Sequence, residues 1–203
     1  MNIQQKLVIA TGNLGKAAEI LGLFRDVPFT LQTLRDFQNI IEVEESGSTF
    51  EENAILKARG YSVQTGNLTL ADDSGLEIAA LDGSPGILSA RYAGADTAYR
   101  EKIDLLLNEL QATGNRNRAA RFVCSMALAD EAGEILATGT GICVGTIARE
   151  PAGENGFGYD PIFIPTGFAE TFGQLSDDIK QQISHRARAS VKILRYLHGF
   201  RAV

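Results

Sequence analysis

The chain has 203 residues, 44% hydrophobic and 22% charged, a profile that suits one soluble globular domain, or two lobes sharing a core, with no need of covalent staples. Its formal net charge is −6 and no run of Lys or Arg exceeds a pair, which disfavours a broad nucleic-acid or anionic-membrane surface. A small anion needs only a local cluster of positive charge, and the overall balance leaves room for one.

The first residues, Met-Asn-Ile-Gln-Gln-Lys, lack the basic start and long apolar run of a leader peptide. No stretch approaches the ~20 apolar residues that cross a bilayer, so a cytoplasmic protein is expected. Residues 6–11, KLVIAT, predict a short buried strand that runs into a glycine-containing turn. Ala17, Ile20, Leu21 and Phe24 follow at i, i+3, i+4 and i+7, one apolar helix face that stops before Pro28. Residues 29–33 read as a second strand. Thr49 and Glu52 stand at capping-box spacing, and the helix they open is expected to run to about Thr65 and stop at Gly66-Asn67.

Residues 68–71 and 76–80 are two short apolar runs on either side of the polar DDSG. A further helix after Thr97 places Ile103, Leu106, Leu107 and Leu110 on one face. Phe122, Cys124, Met126 and Leu128 alternate as a core-facing strand does, residues 130–134 read as its hairpin turn, and 135–147 as the returning strand. Ser184 is placed to cap a last helix with Ala187, Val191, Leu194 and His198 on one side. Cys124 and Cys143 lie singly in apolar stretches and predict buried thiols, not a zinc site or a disulfide. Strands and helices mix without clean βαβ alternation, which favours a mixed α/β sheet flanked by helices.

Four sets of residues carry candidate chemistry. Thr11, Gly12, Asn13, Leu14, Gly15 and Lys16 join the first strand to the first helix. Free amides, the helix dipole and the lysine there suit a phosphate, although the spacing is not that of a Walker A loop and an ordinary turn is the plain alternative. Glu44-Glu45 and Asp72-Asp73 are paired acids. A solvated loop is the plain reading of the first and an Asp-Ser-Gly turn that of the second. Two acids ending an apolar run repel each other unless a cation sits nearby, and oxygen ligands of this number suit Mg²⁺ completed by substrate phosphate. In GENGFGYD, Phe157 and Tyr159 are either base-stacking rings or aromatics tucked into the core. Lys57, Lys180, His185 and Arg186 are either local cations for an anionic ligand or ordinary surface side chains.

TGNLGK, ESGSTFEENAILKA, ADDSGLEI, GSPGILSARYAG, GFGYDPIFIP and KQQISHR, in that order and almost end to end, resemble the noncanonical purine NTP pyrophosphatases, the inosine triphosphatase family. The resemblance implies a single domain over residues 1–203: an elongated mixed α/β sheet flanked by helices, in two lobes with an active-site cleft, usually as a homodimer. It implies Mg²⁺-dependent cleavage of ITP, dITP, XTP or dXTP to monophosphate and pyrophosphate. Under it, residues 11–16 and Lys57 hold the triphosphate, Glu45 and Asp73 bind the metal, and Asp73 is the catalytic base. Ser74 touches the substrate, while Phe157, Gly158, Tyr159 and Asp160 frame the purine. Lys180, His185 and Arg186 contact the nucleotide and read its base edge. The expected partner is a small purine nucleoside triphosphate, not a nucleic acid or a membrane. A nucleotide sensor without catalysis is the competing class, and it has no need of Asp73 beside Glu45.

Overall fold

Short apolar runs near the N-terminus build one side of the sheet. In the computed structural model, which describes residues 5–199, β1 (Lys6–Ile9) is buried from Leu7 onward. Residues 1–4, part of the stretch read above for a leader, lie outside the described residues. β1 pairs in parallel with β2 (Thr30–Thr33) on one side and with β3 (Leu68–Ile78) on the other. Beyond β3 come β4 (Ala119–Ala129), β5 (Ile135–Ile147) and the short β6 (Phe163–Pro165), which runs antiparallel to β5. The result is a sheet mixed as expected, six-stranded in the order β2-β1-β3-β4-β5-β6.

Five helices accompany the sheet among the described residues: α1 (Leu14–Leu23), α2 (Phe50–Thr65), α3 (Tyr99–Ala112), α4 (Asp177–Ile183) and α5 (His185–Gly199). The local signals for α1 and α2 agree with the structure. Asn13 caps α1, and Thr49 with Glu52 forms the reciprocal capping box of α2. Gly66 ends α2 in a left-handed conformation at φ 63°. The turn between β4 and β5 is tied by Asp130, whose Oδ1 accepts the amides of Ala132 and Glu134.

Two expectations are corrected. Residues 68–78 form one continuous strand, not two runs around a turn, because the acids of DDSG are buried and their charge is met by cations from distant segments. In α5 the buried stripe is Ala189, Ile193 and Leu197, whereas Val191 is 54% exposed and His198 is exposed as well. Apolar residues stand on more than one side of this helix, so periodicity alone does not select the inward face.

The chain divides into two compact units. The first holds residues 1–73, 124–141 and 186–203, and the second holds 74–123 and 142–185. In the first unit, one core gathers Leu7, Ile9, Leu70, Met126 and Leu128 with Ile20 of α1, Phe24 at its C-terminal cap and Ile193 of α5. A second core, of small residues, sets Ala10, Ala71, Ala127 and Ala129 against Ala54, Ala58 and Tyr61 of α2. β3 and β4 thus offer long side chains to one face and, at Ala71, Ala127 and Ala129, alanines to the other, which lets α2 lie close to the backbone. The second unit has its own core around Leu76, Ile103, Leu106, Phe122, Phe163 and Phe172.

Candidate active site

Strand alternation sets the geometry of the site. Leu68 and Leu70 of β3 belong to the core shared with α1 and α5, and Ala71 to the one under α2. Asp72 therefore continues the α1/α5 face and Asp73 the α2 face.

On the α2 face, Asp73 is 5% exposed. Its Oδ2 accepts from Asn53 Nδ2 at 3.2 Å and its Oδ1 from Lys57 Nζ at 3.3 Å. The same ammonium lies 3.1 Å from Glu45 Oε1, so Lys57 bridges the two carboxylates assigned to a metal. Burial pushes the Asp73 carboxyl up, and with Glu45 and Asp72 beside it this outweighs the pull of Lys57 and Lys16; its pKa stands above the ordinary value. Burial pulls Lys57 the other way, but Asp73, Asp72 and Glu45 together hold it protonated beyond the usual lysine range.

Asn53 was not singled out in the sequence, yet it joins two parts of this set. Its Oδ1 accepts the Gly47 amide at 2.8 Å while its Nδ2 holds Asp73. The signal was present: Thr49, Asn53 and Lys57 stand at i, i+4 and i+8, one face of α2. Gly47 leaves no room for a side chain, since a Cβ there would sit 2.7 Å from both Asn53 Oδ1 and Glu52 Cβ. The loop that carries Glu45 is thereby held to the helix that carries Lys57.

On the opposite face Asp72 is 1% exposed. Lys16 Nζ lies 3.3 Å from its Oδ2 and Arg186 Nε 3.4 Å from the same oxygen. Burial alone would raise the Asp72 carboxyl, but Lys16 and Arg186 override it and hold the group well below the usual carboxylate range. The Arg186 guanidinium, 2% exposed, also pairs with Glu19 of α1, a second residue the sequence reading passed over. The cations required by the acid pair are thus amino-acid side chains, one set on each face of the strand.

The residues before α1 form a capped turn. Asn13 Oδ1 accepts the Lys16 amide at 3.0 Å, and Thr11 Oγ1 accepts the Asn13 amide at 3.2 Å. Thr11, Asn13 and Gly15 are half-buried, and Gly12 and Leu14 are exposed. The amides of Leu14 and Gly15 begin the helix and have no intrahelical acceptor. The side chains of Thr11 and Asn13 accept amides here and so shape the turn.

In the second unit, Asp160 and Lys180 form a buried ion pair, and Asp160 Oδ2 also accepts the Phe157 amide at 2.7 Å. Lys180 Nζ lies 4.9 Å from the centroid of the half-buried Phe157 ring. Gly156, at φ 71°, meets the Asp160 carboxylate so closely that a Cβ would collide with it. Phe157, Asp160 and Lys180 are thus brought together, while Gly158 serves as a positive-φ link at 67°. Tyr159 is a core residue: its hydroxyl donates to the Ser89 carbonyl at 3.0 Å and its ring meets Tyr99 edge-on. His185 is buried and stacks on Phe122 at 4.7 Å between centroids. Ser74 is half-buried, next to Asp73 in β3.

Chemically, the first unit offers a helix start with Lys16, a buried carboxyl poised to take a proton, and an all-oxygen pair that suits a hard cation. Among the described residues no three His, Cys, Asp or Glu side chains gather into a ready-made metal cage.

The comparisons with known proteins agree on one kinship. The chain is 47% identical over 188 residues to a protein of an Exiguobacterium species named dITP/XTP pyrophosphatase, covering 93% of this chain and 94% of that one. It is 44% identical over 196 residues to a Bacillus cereus protein of the same name, with 95% of each covered. Among solved structures, a HAM1 protein from Coxiella burnetii matches with a TM-score of 0.87 and 41% identity, over 97% of this chain and 100% of that one. The Ham1 protein of Staphylococcus aureus matches with a TM-score of 0.84 and 41% identity, over 96% and 99%. With residues 7–196 matching the family as a whole, the chain belongs to the Ham1 family.

Proposed function

We propose that the protein is a nucleoside triphosphate pyrophosphohydrolase that cleaves noncanonical purine nucleotides, ITP or dITP and XTP or dXTP, to monophosphate and pyrophosphate, keeping them out of nucleic acids. The observation that carries this reading is Asp73: a buried carboxyl gripped by Asn53 and Lys57, sharing that lysine with Glu45. The name carried by the relatives, dITP/XTP pyrophosphatase, supports the same reaction class.

In this reading the amides before α1, with Lys16 and Lys57, take the triphosphate, whose oxygens gain charge as the reaction proceeds. Asp73 accepts a proton from water as that water attacks the α-phosphorus. The bond from the α-phosphorus to its bridging oxygen breaks, and pyrophosphate leaves. A carboxyl whose pKa is raised by burial is the better proton acceptor near neutral pH. Glu45 and Asp73 would hold Mg²⁺: they are hard oxygen donors, and two carboxylates plus substrate phosphate make an ordinary shell for it. When bound, the ion supplies Lewis-acid stabilisation of the phosphate oxygens.

For the base, the second unit offers the Phe157 ring with Lys180 at its face and Asp160 behind. Ser74 and His185 keep the contacts implied by the resemblance, and Tyr159 acts as packing for the loop. Arg186 keeps a place at the base edge through the resemblance, while its contacts here support a task of holding Asp72. Working in the cytoplasm and as a homodimer belongs to the same proposal, and light scattering after size exclusion checks the latter.

The deciding experiment is a nucleotide panel with product identification, in Mg²⁺ and then in chelator. ITP and XTP should give monophosphate and pyrophosphate, so that orthophosphate appears only when an inorganic pyrophosphatase is added. Chelator should stop the reaction and Mg²⁺ restore it. A nucleoside diphosphate as first product, or turnover untouched by chelator, overturns the assignment.

A further inference from the structure

Residues 111–118 suggested no chemistry as a sequence, but in the structure they wall a cavity of about 1000 Å³ in the second unit. Arg116, Arg118 and Arg149 line it together with the end of α3. None of its lining residues belongs to the sets assigned above.

The central guanidinium is held in place before any ligand arrives. Arg118 Nε donates to the Ile147 carbonyl at 2.6 Å and Nη2 to the Ala148 carbonyl at 2.5 Å. Two of its five N–H donors are so used, which fixes the plane of the fork. Burial and the neighbouring charge of Arg149 both push the Arg118 pKa down, the response of crowded cations. Among the described residues no carboxylate lies at ion-pair distance from Arg116, Arg118 or Arg149. The one acid in the lining, Asp104, is 3.7 Å from Arg100 instead.

The end of α3 works against an anion, since a helix C-terminus carries roughly half a negative charge. Its Glu109 and Gln111 carbonyls, however, are taken by the amides of Thr113 and Gly114. Three full positive charges outweigh what remains. Such a concentration stands out on a chain of net charge −6. Asn108 and Gln111 add amide donors, and Leu107 adds an apolar wall.

We propose that this cavity binds a small phosphate-bearing anion at a site distinct from the residues assigned to the reaction. A fixed guanidinium fork matches phosphate oxygens two at a time. The volume exceeds that of one phosphate and accommodates pyrophosphate or a mononucleotide. The inference stands whether or not the protein hydrolyses nucleotides, because binding and not turnover is what it claims.

The test is an amide NMR titration of the full chain with inorganic pyrophosphate and, separately, with inosine monophosphate, at physiological salt. The expected result is saturable shifts at residues 114–118 and 148–149 with at least one of the probes. A response to pyrophosphate alone identifies an inorganic anion, and a tighter response to the monophosphate identifies a nucleotide. The double variant Arg116→Gln/Arg149→Gln should weaken that binding by at least about ten-fold, the scale of lost charge-assisted hydrogen bonds. Shifts at residues 11–16 should persist in it, which shows that the fold and the other site are intact. Absence of saturable shifts at 114–118, or identical titrations for parent and double variant, overturns the proposal. So does a single-stranded oligonucleotide that binds there more tightly with increasing length, which marks a polyanion surface and not a small-molecule site.

Discussion

Because a strand turns consecutive side chains to opposite faces, Asp72 and Asp73 meet different partners and take different tasks. Asp72 lies between Lys16 and Arg186 with its charge neutralised, so it orders the cations. Asp73, with a raised pKa, retains the capacity to accept a proton. The nearly isosteric Asp73→Asn should leave the unfolding curve in place and lower kcat by at least ~10²-fold, the usual share of a positioned base. Steady-state kinetics at saturating Mg²⁺ checks this, and activity within a few-fold of the parent removes Asp73 from the chemistry. Arg186→Ala should act differently. It leaves Asp72 buried with one cation fewer, and breaking a buried pair typically costs about 3–5 kcal/mol. A clear fall in the urea midpoint of the ligand-free protein is the expected outcome, and an unchanged midpoint would show that Arg186 is not needed to hold Asp72.

α2 is the element on which the site is assembled, and its sequence is legible for a local reason. The cap, the helix stop and the i, i+4 spacing of Asn53 and Lys57 lie within one segment. Gly47→Ala tests how far the assembly depends on that segment, since a Cβ 2.7 Å from Asn53 Oδ1 must displace the amide that holds Asp73. Activity should fall about 10- to 100-fold, the range for residues that orient a ligand set, with a higher Mg²⁺ requirement and far-UV circular dichroism unaltered. Asn53→Ala acts through the same hydrogen bonds, so the double variant should cost little more than the worse single one. Full additivity would mean that the two residues work independently. β3 was harder to read. Asp-Ser-Gly is good turn chemistry, and only Lys16, Lys57 and Arg186, from three other elements, make the buried strand tolerable. Local pattern carries no trace of those partners, nor of the face that α5 turns inward.

At the scale of the whole molecule, the mixed sheet and the order of the motifs were legible, while the roles of single residues depended on packing. Phe157 and Tyr159 looked alike in the sequence, yet one ring faces an ammonium and the other is sealed in the core. The division of β4 and β5 between two units was not legible either, because each reads as one uninterrupted strand. Under the proposed function, the molecule as a whole has to refuse the common nucleotide while taking the rare one. ATP and ITP share ribose and triphosphate, so residues 11–16, Lys57 and Asp73 cannot separate them. Discrimination must arise at position six of the purine, where hypoxanthine and xanthine present an acceptor oxygen and adenine an amino donor. Side chains proposed to donate there, Lys180 and Arg186 by the resemblance alone, would face a donor in adenine and lose their bond. Sites built on such a bond discriminate by ~10⁴ when it is lost, and by less where water can enter. The kcat/KM for ITP should therefore exceed that for ATP by several orders of magnitude, measured with both nucleotides at equal free Mg²⁺. Equal turnover of the two would show that position six is not read, and the purine-selective function proposed here would fall with it.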